Sequence, residues 1–217
     1  MDWARAVDIN RIALTRVVAE IFALVGGGRL ERLHQALYVA ATRLLRPAES
    51  ALRRLIIIAA RGLGVKPSVS RPFPKGIVIK ASTSEKISFP LFDARKSFDF
   101  GEPDNPLFVM VKTYSKNPYN PFELNQWRQP ESAPRDYARS LSRRLAAVKQ
   151  ALETLPRQAS RMARWLAKHK AMNSPKFKSP LRPGHPPGHR GKPNLEIDLV
   201  LTECHALAWD VLCENSS

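Results

Sequence analysis

The stretch RLERLHQALYVAATRLLR (29–46), running directly into PAESALRRLIIIAARGLG (47–64), decides how this chain is built. In the first half Leu30, Leu33, Leu37, Ala41 and Leu44 recur three and four residues apart, the period of an amphipathic helix. Pro47 has no N–H to donate and disfavours helical geometry at Arg46. The reading is therefore two helices, 29–46 and 47–64, with Pro47 in the first turn of the second. Gly62 and Gly64 close that second helix.

Upstream, DINRIALTRVVAEIFALV (8–25) gathers Leu14, Val17, Val18, Ile21 and Val25 on one face before Gly26, Gly27 and Gly28 stop it. Three short-linked amphipathic helices each need an apolar partner, so an antiparallel three-helix cluster is expected over 1–64. Its most apolar run, LIIIAA (55–60), is far too short to span a bilayer.

Downstream the character changes. Residues 65–130 hold short β-rich runs, GIVIK (76–80), KISFPLF (86–92) and LFVMVKTY (107–114), among prolines and turn signals. Pro90 allows its run only an edge position. Phe73, Phe89, Phe92, Phe98, Phe100, Phe108 and Phe122 are too many aromatics for a solvated linker. This middle is expected to wrap the helices or to dock on a protein partner. Asp93 and Asp99 within it read as turn acids.

Helical periodicity returns at 134–155, with Tyr137, Leu141, Leu145, Val148, Leu152 and Leu155 on one face. Pro156 opens another helix, 156–172, and Asn194 is a suitable N-cap for a last one, 195–214. The expected fold is thus mainly α: an amino-terminal antiparallel three-helix cluster and carboxyl-terminal helices, joined by a long extended middle with a few short β-strands. Three segments follow: 1–64, 65–130, and 131–217, the last containing a Pro-rich connector (173–193) and an acidic terminal helix.

Charge is the strongest functional signal. The formal net charge is +16. Residues 131–193 carry fifteen Lys/Arg against three Asp/Glu, whereas 194–217 carry five acids and no Lys or Arg. A positive excess of that size draws polyanions without dictating a fold. On helix 156–172, Arg157, Arg161, Arg164 and Lys168 are four, three and four residues apart, within roughly 60° of arc. Ala159, Met162, Ala163 and Leu166 occupy the opposite side. A cationic ridge on a helix docked by its apolar face suits phosphate tracking. The last helix is the complement, with Glu196, Glu203, Asp210 and Glu214 within roughly 40°. Paired as a hairpin, the two helices would neutralise part of each other; unpaired, the ridge faces outward.

Between them lies SPLRPGHPPGHRGKP (179–193), whose five prolines make it a stiff, extended strap. Its end, His189-Arg190-Gly191-Lys192-Pro193, resembles the core of an AT-hook, in which cations flanking a glycine enter the minor groove. Lys192 stands where that motif has its second arginine. Candidate polyanion contacts are therefore Arg157, Arg161, Arg164, Lys168, Arg182, Arg190 and Lys192. His185, His189, Cys204 and His205 could ligate metal in principle, but their spacing matches no familiar site. No metal or cofactor is expected. His34 and His169 read as surface or boundary residues.

Signatures of catalysis are missing: the chain has no Walker loop, GxSxG, HExxH or CxxC pair. The Gly26–Gly28 turn could be imagined as a phosphate nest, but it lacks a preceding strand. Cys204 and Cys213 sit nine residues apart on one helix and cannot bridge each other, which fits a reducing compartment. Asp2 and Asp8 at the amino terminus argue against a leader sequence, so the cytoplasm is the expected location.

The segments NRIALTRVVAEIFAL, LRPAESALRRLIIIAARGL, LPRQASRMARW, PLRPGHPPGHR and ECHALA resemble a group of small basic alphaproteobacterial proteins without an assigned function. The resemblance implies a bacterial cytoplasmic protein and carries over no catalytic or binding residue. Taken together, the sequence points first to a non-enzymatic partner-binding or scaffold protein. Next comes a sequence-tolerant nucleic-acid-associated protein using the basic ridge. Peripheral membrane association through helix 8–25 or 47–62 ranks last.

Overall fold

Helix α1 (Trp3–Leu24) starts at Asp2, whose carboxylate accepts the Arg5 N–H at 3.0 Å. That contact satisfies one of the donors every helix start leaves open. Asn10, Leu14, Val17, Val18 and Ile21 form its buried stripe, and Gly26 (φ +81°) ends it. The computed structural model describes residues 2–26, 35–65, 87–93, 134–171 and 179–214.

Helix α2 (Gln35–Ala60) is the longest element and the centre of the molecule. Every residue from Ser50 to Ile58 is buried, as in a helix enclosed on all sides. Leu52, Leu55, Ile56 and Ile57 are fully buried, each such side chain stabilising the fold by about 1.5–3 kcal/mol. Around α2 pack α1, α3 (Pro134–Glu153), α4 (Leu155–Ala171) and α5 (Glu196–Glu214). Helix α1 also meets α3 and α5, while α4 and α5 do not pack backbone to backbone among the described residues. One apolar core runs through all five described helices, from Leu14 to Leu212.

The first correction to the sequence reading is that Pro47 neither ends nor starts a helix. It lies inside α2, which continues through it. Proline in a helix interior frees the carbonyl four residues earlier. Here that carbonyl belongs to Arg43, and it accepts a hydrogen bond from Arg190 Nη2 at 3.2 Å. The strap thus supplies the donor that Pro47 lacks. Gly188, at φ +86°, lies against the proline so closely that a Cβ would fall 2.7 Å from Pro47 N. Only glycine permits that approach. The expected three-helix cluster is therefore two helices, with α3, α4 and α5 completing the core.

The second correction concerns β-structure: among the described residues there is no strand. The runs at 76–80 and 107–114 lie outside the described residues, as do Asp99 and His34. Ser88–Asp93 does alternate, with Phe89, Leu91 and Asp93 buried and Ser88, Pro90 and Phe92 exposed, the two-residue period of extended chain; Ile87, before it, is exposed. No ladder forms because its polar groups are taken otherwise. Pro90 O accepts from Arg53 Nε at 3.1 Å, and Asp93 N donates to Pro180 O at 3.1 Å. Alternation marked an extended segment clipped onto α2 and the strap.

Between α3 and α4 a single residue, Thr154, interrupts the helix, and its carbonyl accepts from both Arg157 N and Gln158 N. Pro156 takes the second position of α4, within the first turn, where the missing N–H costs nothing. At α5 the expected cap is also different. Asp198 Oδ2, not the Asn194 side chain, accepts the N–H groups of Asn194 and Leu195, both at 3.3 Å. The carboxylate reaches back over the helix start as a capping-box acid does.

Candidate nucleic-acid interface

Helix α4 is fixed by its apolar side. Leu155, Ala159, Met162 and Ala163 are buried in the core. Arg157, Arg161, Arg164 and Lys168 all emerge on the exposed side. Among the described residues none of the four makes an ion pair, and Arg161 alone has a side-chain bond, Nη1 to Gln158 Oε1 at 2.7 Å. Arg139 and Arg143 of α3 are exposed as well, four residues apart on one face. The sequence reading left these two out because it treated 134–155 only as a packing helix.

The acidic helix does not cover the ridge. Glu196 pairs with Arg16 of α1 at 2.9 Å, and Glu214 with Arg61 after α2 at 2.8 Å. Glu203 accepts from Asn10 Nδ2 at 3.1 Å, and Asp210 is exposed. The hairpin pairing of basic with acidic helix is therefore not adopted, because α5 lies against α1 and α2.

The other three candidate cations have different surroundings. Arg190 donates to Arg43 O and, at 3.4 Å, to Asn194 Oδ1, and lies 3.6 Å from Asp198 Oδ2. Its guanidinium holds the strap to α2. Arg182 is half-buried, with its backbone N–H on Asp93 Oδ2 at 3.2 Å. Lys192 is exposed. Of the two cations of the AT-hook-like stretch, Arg190 is thus engaged by α2 and the start of α5 while Lys192 makes no such bond.

Asp93 is no turn acid; its carboxylate is wholly buried and holds a cluster of polar groups. Arg54 Nη2 lies 3.0 Å from Oδ2 and Arg53 Nη1 3.4 Å from Oδ1. Arg54, itself wholly buried, also donates to Ser50 O and Oγ and, through Nε, to His205 Nδ1 at 3.0 Å. Burial pulls the Arg54 guanidinium below its usual value, while Asp93 pushes it back up. Because His205 Nδ1 accepts, the ring is neutral with its proton on Nε2. Burial and then the Arg54 charge hold His205 below the ordinary histidine range. Arg53 also lies over the Phe89 ring, 5.5 Å from its centre.

This cluster positions the edge of the basic face. With Phe89, Leu91 and Asp93 held inward, Phe92 is turned outward and is 42 % exposed. Its ring centre is 5.0 Å from that of Trp165 on α4, which in turn lies 3.9 Å from His169. Sequence reasoning missed this group because Phe92 and Trp165 are 73 positions apart.

Burial pushes the Cys204 thiol up to about 12, so it stays protonated, and Cys213 is exposed. His185 and His189 stack with ring centres 4.5 Å apart, but no group of three or more His, Cys, Asp or Glu among the described residues could hold a metal. A cavity of about 390 Å³ between α1 and α3 is lined by Arg11, Thr15, Val18, Phe22, Lys149 and Leu152, with the Thr15 hydroxyl already donating to Arg11 O. No helix among the described residues is long and apolar enough to cross a membrane. No protein-family model matches the chain, and neither a curated protein nor a solved structure matches it.

Proposed function

We propose that this is a non-enzymatic, cytoplasmic protein that associates with nucleic acid through the basic face of α3 and α4. The observation that carries the reading is the exposure of Arg157, Arg161, Arg164 and Lys168 while the acids of α5 engage α1 and the end of α2. Successive ridge cations are about 4.5–6 Å apart along the axis, at 1.5 Å per residue. That is dense enough to meet successive phosphates on a polyanion whose duplex carries one charge per about 1.7 Å. Arg139 and Arg143 extend the face onto α3. Such binding is sequence-tolerant, since phosphate contacts position a protein without reading bases.

The test is the salt dependence of affinity for labelled nucleic acid, in the wild type and in the fourfold variant R157Q/R161Q/R164Q/K168Q. Losing four phosphate contacts should flatten the slope of log affinity against log salt by about 3 units. Unchanged slope and affinity would remove α4 as the contact surface. Binding to anionic vesicles but not to nucleic acid would assign the face to membranes instead.

A protein-partner role is the second reading, and one observation favours it. Ile9 and Ile12 on α1 and Leu199 on α5 are each more than half exposed. The Asn10–Glu203 and Arg16–Glu196 contacts bring these stretches of the two helices alongside each other. A photo-crosslinker at position 12 should capture a protein, and Leu199→Gln should abolish the capture.

A further inference from the structure

The basic ridge explains attraction to phosphate, but phosphate contact gives no use for a half-exposed phenylalanine beside it. Phe92 is held outward by its neighbours: Leu91 and Asp93 point into the core, and Asp93 is bound by two arginines and by the Arg182 amide. Its ring meets Trp165 at 59°, and Trp165 meets His169 at 34°. His169 is fixed in turn by donating from Nδ1 to the Trp165 carbonyl at 2.9 Å. Three rings therefore meet in one group beside the ridge, with Phe92 its exposed member and Trp165 and His169 partly buried. On α4, Trp165 follows Arg161 by four residues and precedes Lys168 by three, so both cations are its neighbours.

Cations flanking a fixed aromatic surface suit a chain that offers phosphates and base faces together. In a duplex the base faces are stacked on one another, and only edges reach the grooves. In a single strand each base has a free π-face, and stacking on a protein ring is tolerant of sequence. We propose that the ligand of this face is single-stranded nucleic acid, with phosphates on Arg161, Arg164 and Lys168 and a base stacked on the exposed Phe92 ring. This rests on the nucleic-acid reading above and narrows it to one strand state. The buried Asp93 cluster then acts as a positioning element for the stacking ring.

The experiment uses the full chain with labelled oligothymidine, oligouridine and a DNA duplex at one salt concentration. The wild type should bind the single strands at least about tenfold more tightly than the duplex, the worth of one stacked base. Phe92→Ala, at an exposed position, should lower single-strand affinity about tenfold and leave duplex affinity and the salt slope unchanged. Trp165→Phe should retain the preference and Trp165→Leu should reduce it. The two oligonucleotides separate DNA from RNA, since only the latter offers a 2′-hydroxyl. Equal affinity for single strand and duplex, or an unaltered single-strand affinity in Phe92→Ala, would overturn the stacking surface while leaving salt-dependent binding in place. Loss of all salt-dependent binding would instead overturn the nucleic-acid reading itself.

Discussion

Two groups of arginines in this molecule have the same chemistry and opposite fates. Arg53 and Arg54 lie on the enclosed half of α2, and both reach the buried carboxylate of Asp93. Arg157, Arg161 and Arg164 lie on the outer side of α4 and face water. The difference is set by how many sides of the helix are covered. A guanidinium inside must find an anion and fill its remaining donors, or its desolvation goes uncompensated. A guanidinium outside can remain hydrated and available to a ligand. One group organises the fold and the other has charge to offer.

The contrast is broken most directly at Asp93. Asp93→Ala leaves two guanidiniums without their anion and should cost about 3–5 kcal/mol in urea unfolding, the usual loss when one partner of a buried pair is removed. A loss under about 1 kcal/mol would mean the inner cluster behaves like a surface pair.

A smaller effect is expected from pH. His205 is faced by Arg54, Asp93, His185 and His189, and its folded pKa is lowered, so the unfolded chain takes up a proton first. Stability from this group is complete above the unfolded value of about 6.5 and declines as pH falls toward the folded value. Thermal melts should therefore drop as pH falls below about 6.5, and His205→Gln, which can still accept from Arg54, should show a shallower drop. Identical pH profiles would detach His205 from the inner cluster.

The smallest change in stability belongs to the outer group. Each glutamine in R157Q/R161Q/R164Q/K168Q should shift unfolding by no more than about 0.5 kcal/mol. Nearly unchanged melting beside a flattened salt slope would sharpen the distinction between structural and available arginines.

What could be read from the sequence was whatever repeats locally. The faces of α1, α3, α4 and α5, and the ridge at 157, 161, 164 and 168, follow from spacing within a single helix. What could not be read depends on partners far along the chain. Pro47 looked like a break because its compensating donor is Arg190, and the acceptor, Arg43, is 147 positions from it. Asp93 looked like a turn acid because its guanidiniums lie 39 and 40 positions away. Ser88–Asp93 alternates as a strand does, and alternation alone cannot distinguish a ladder from a segment clipped by side chains. The acids of α5 were legible as a stripe, but which helix they would face was not.

The docking of the strap over Pro47 has a consequence for the order in which the molecule can mature. Translation runs from the amino terminus at about 5–20 residues per second, so Arg190 leaves the ribosome on the order of ten seconds after Pro47. During that interval the central helix has an open carbonyl at Arg43 and no glycine against its proline. A nascent chain halted before residue 188 contains most of the core residues yet lacks the piece that closes the central rod. Closure of the central helix therefore waits for residues 188–190, synthesised about 140 residues after the proline they cover.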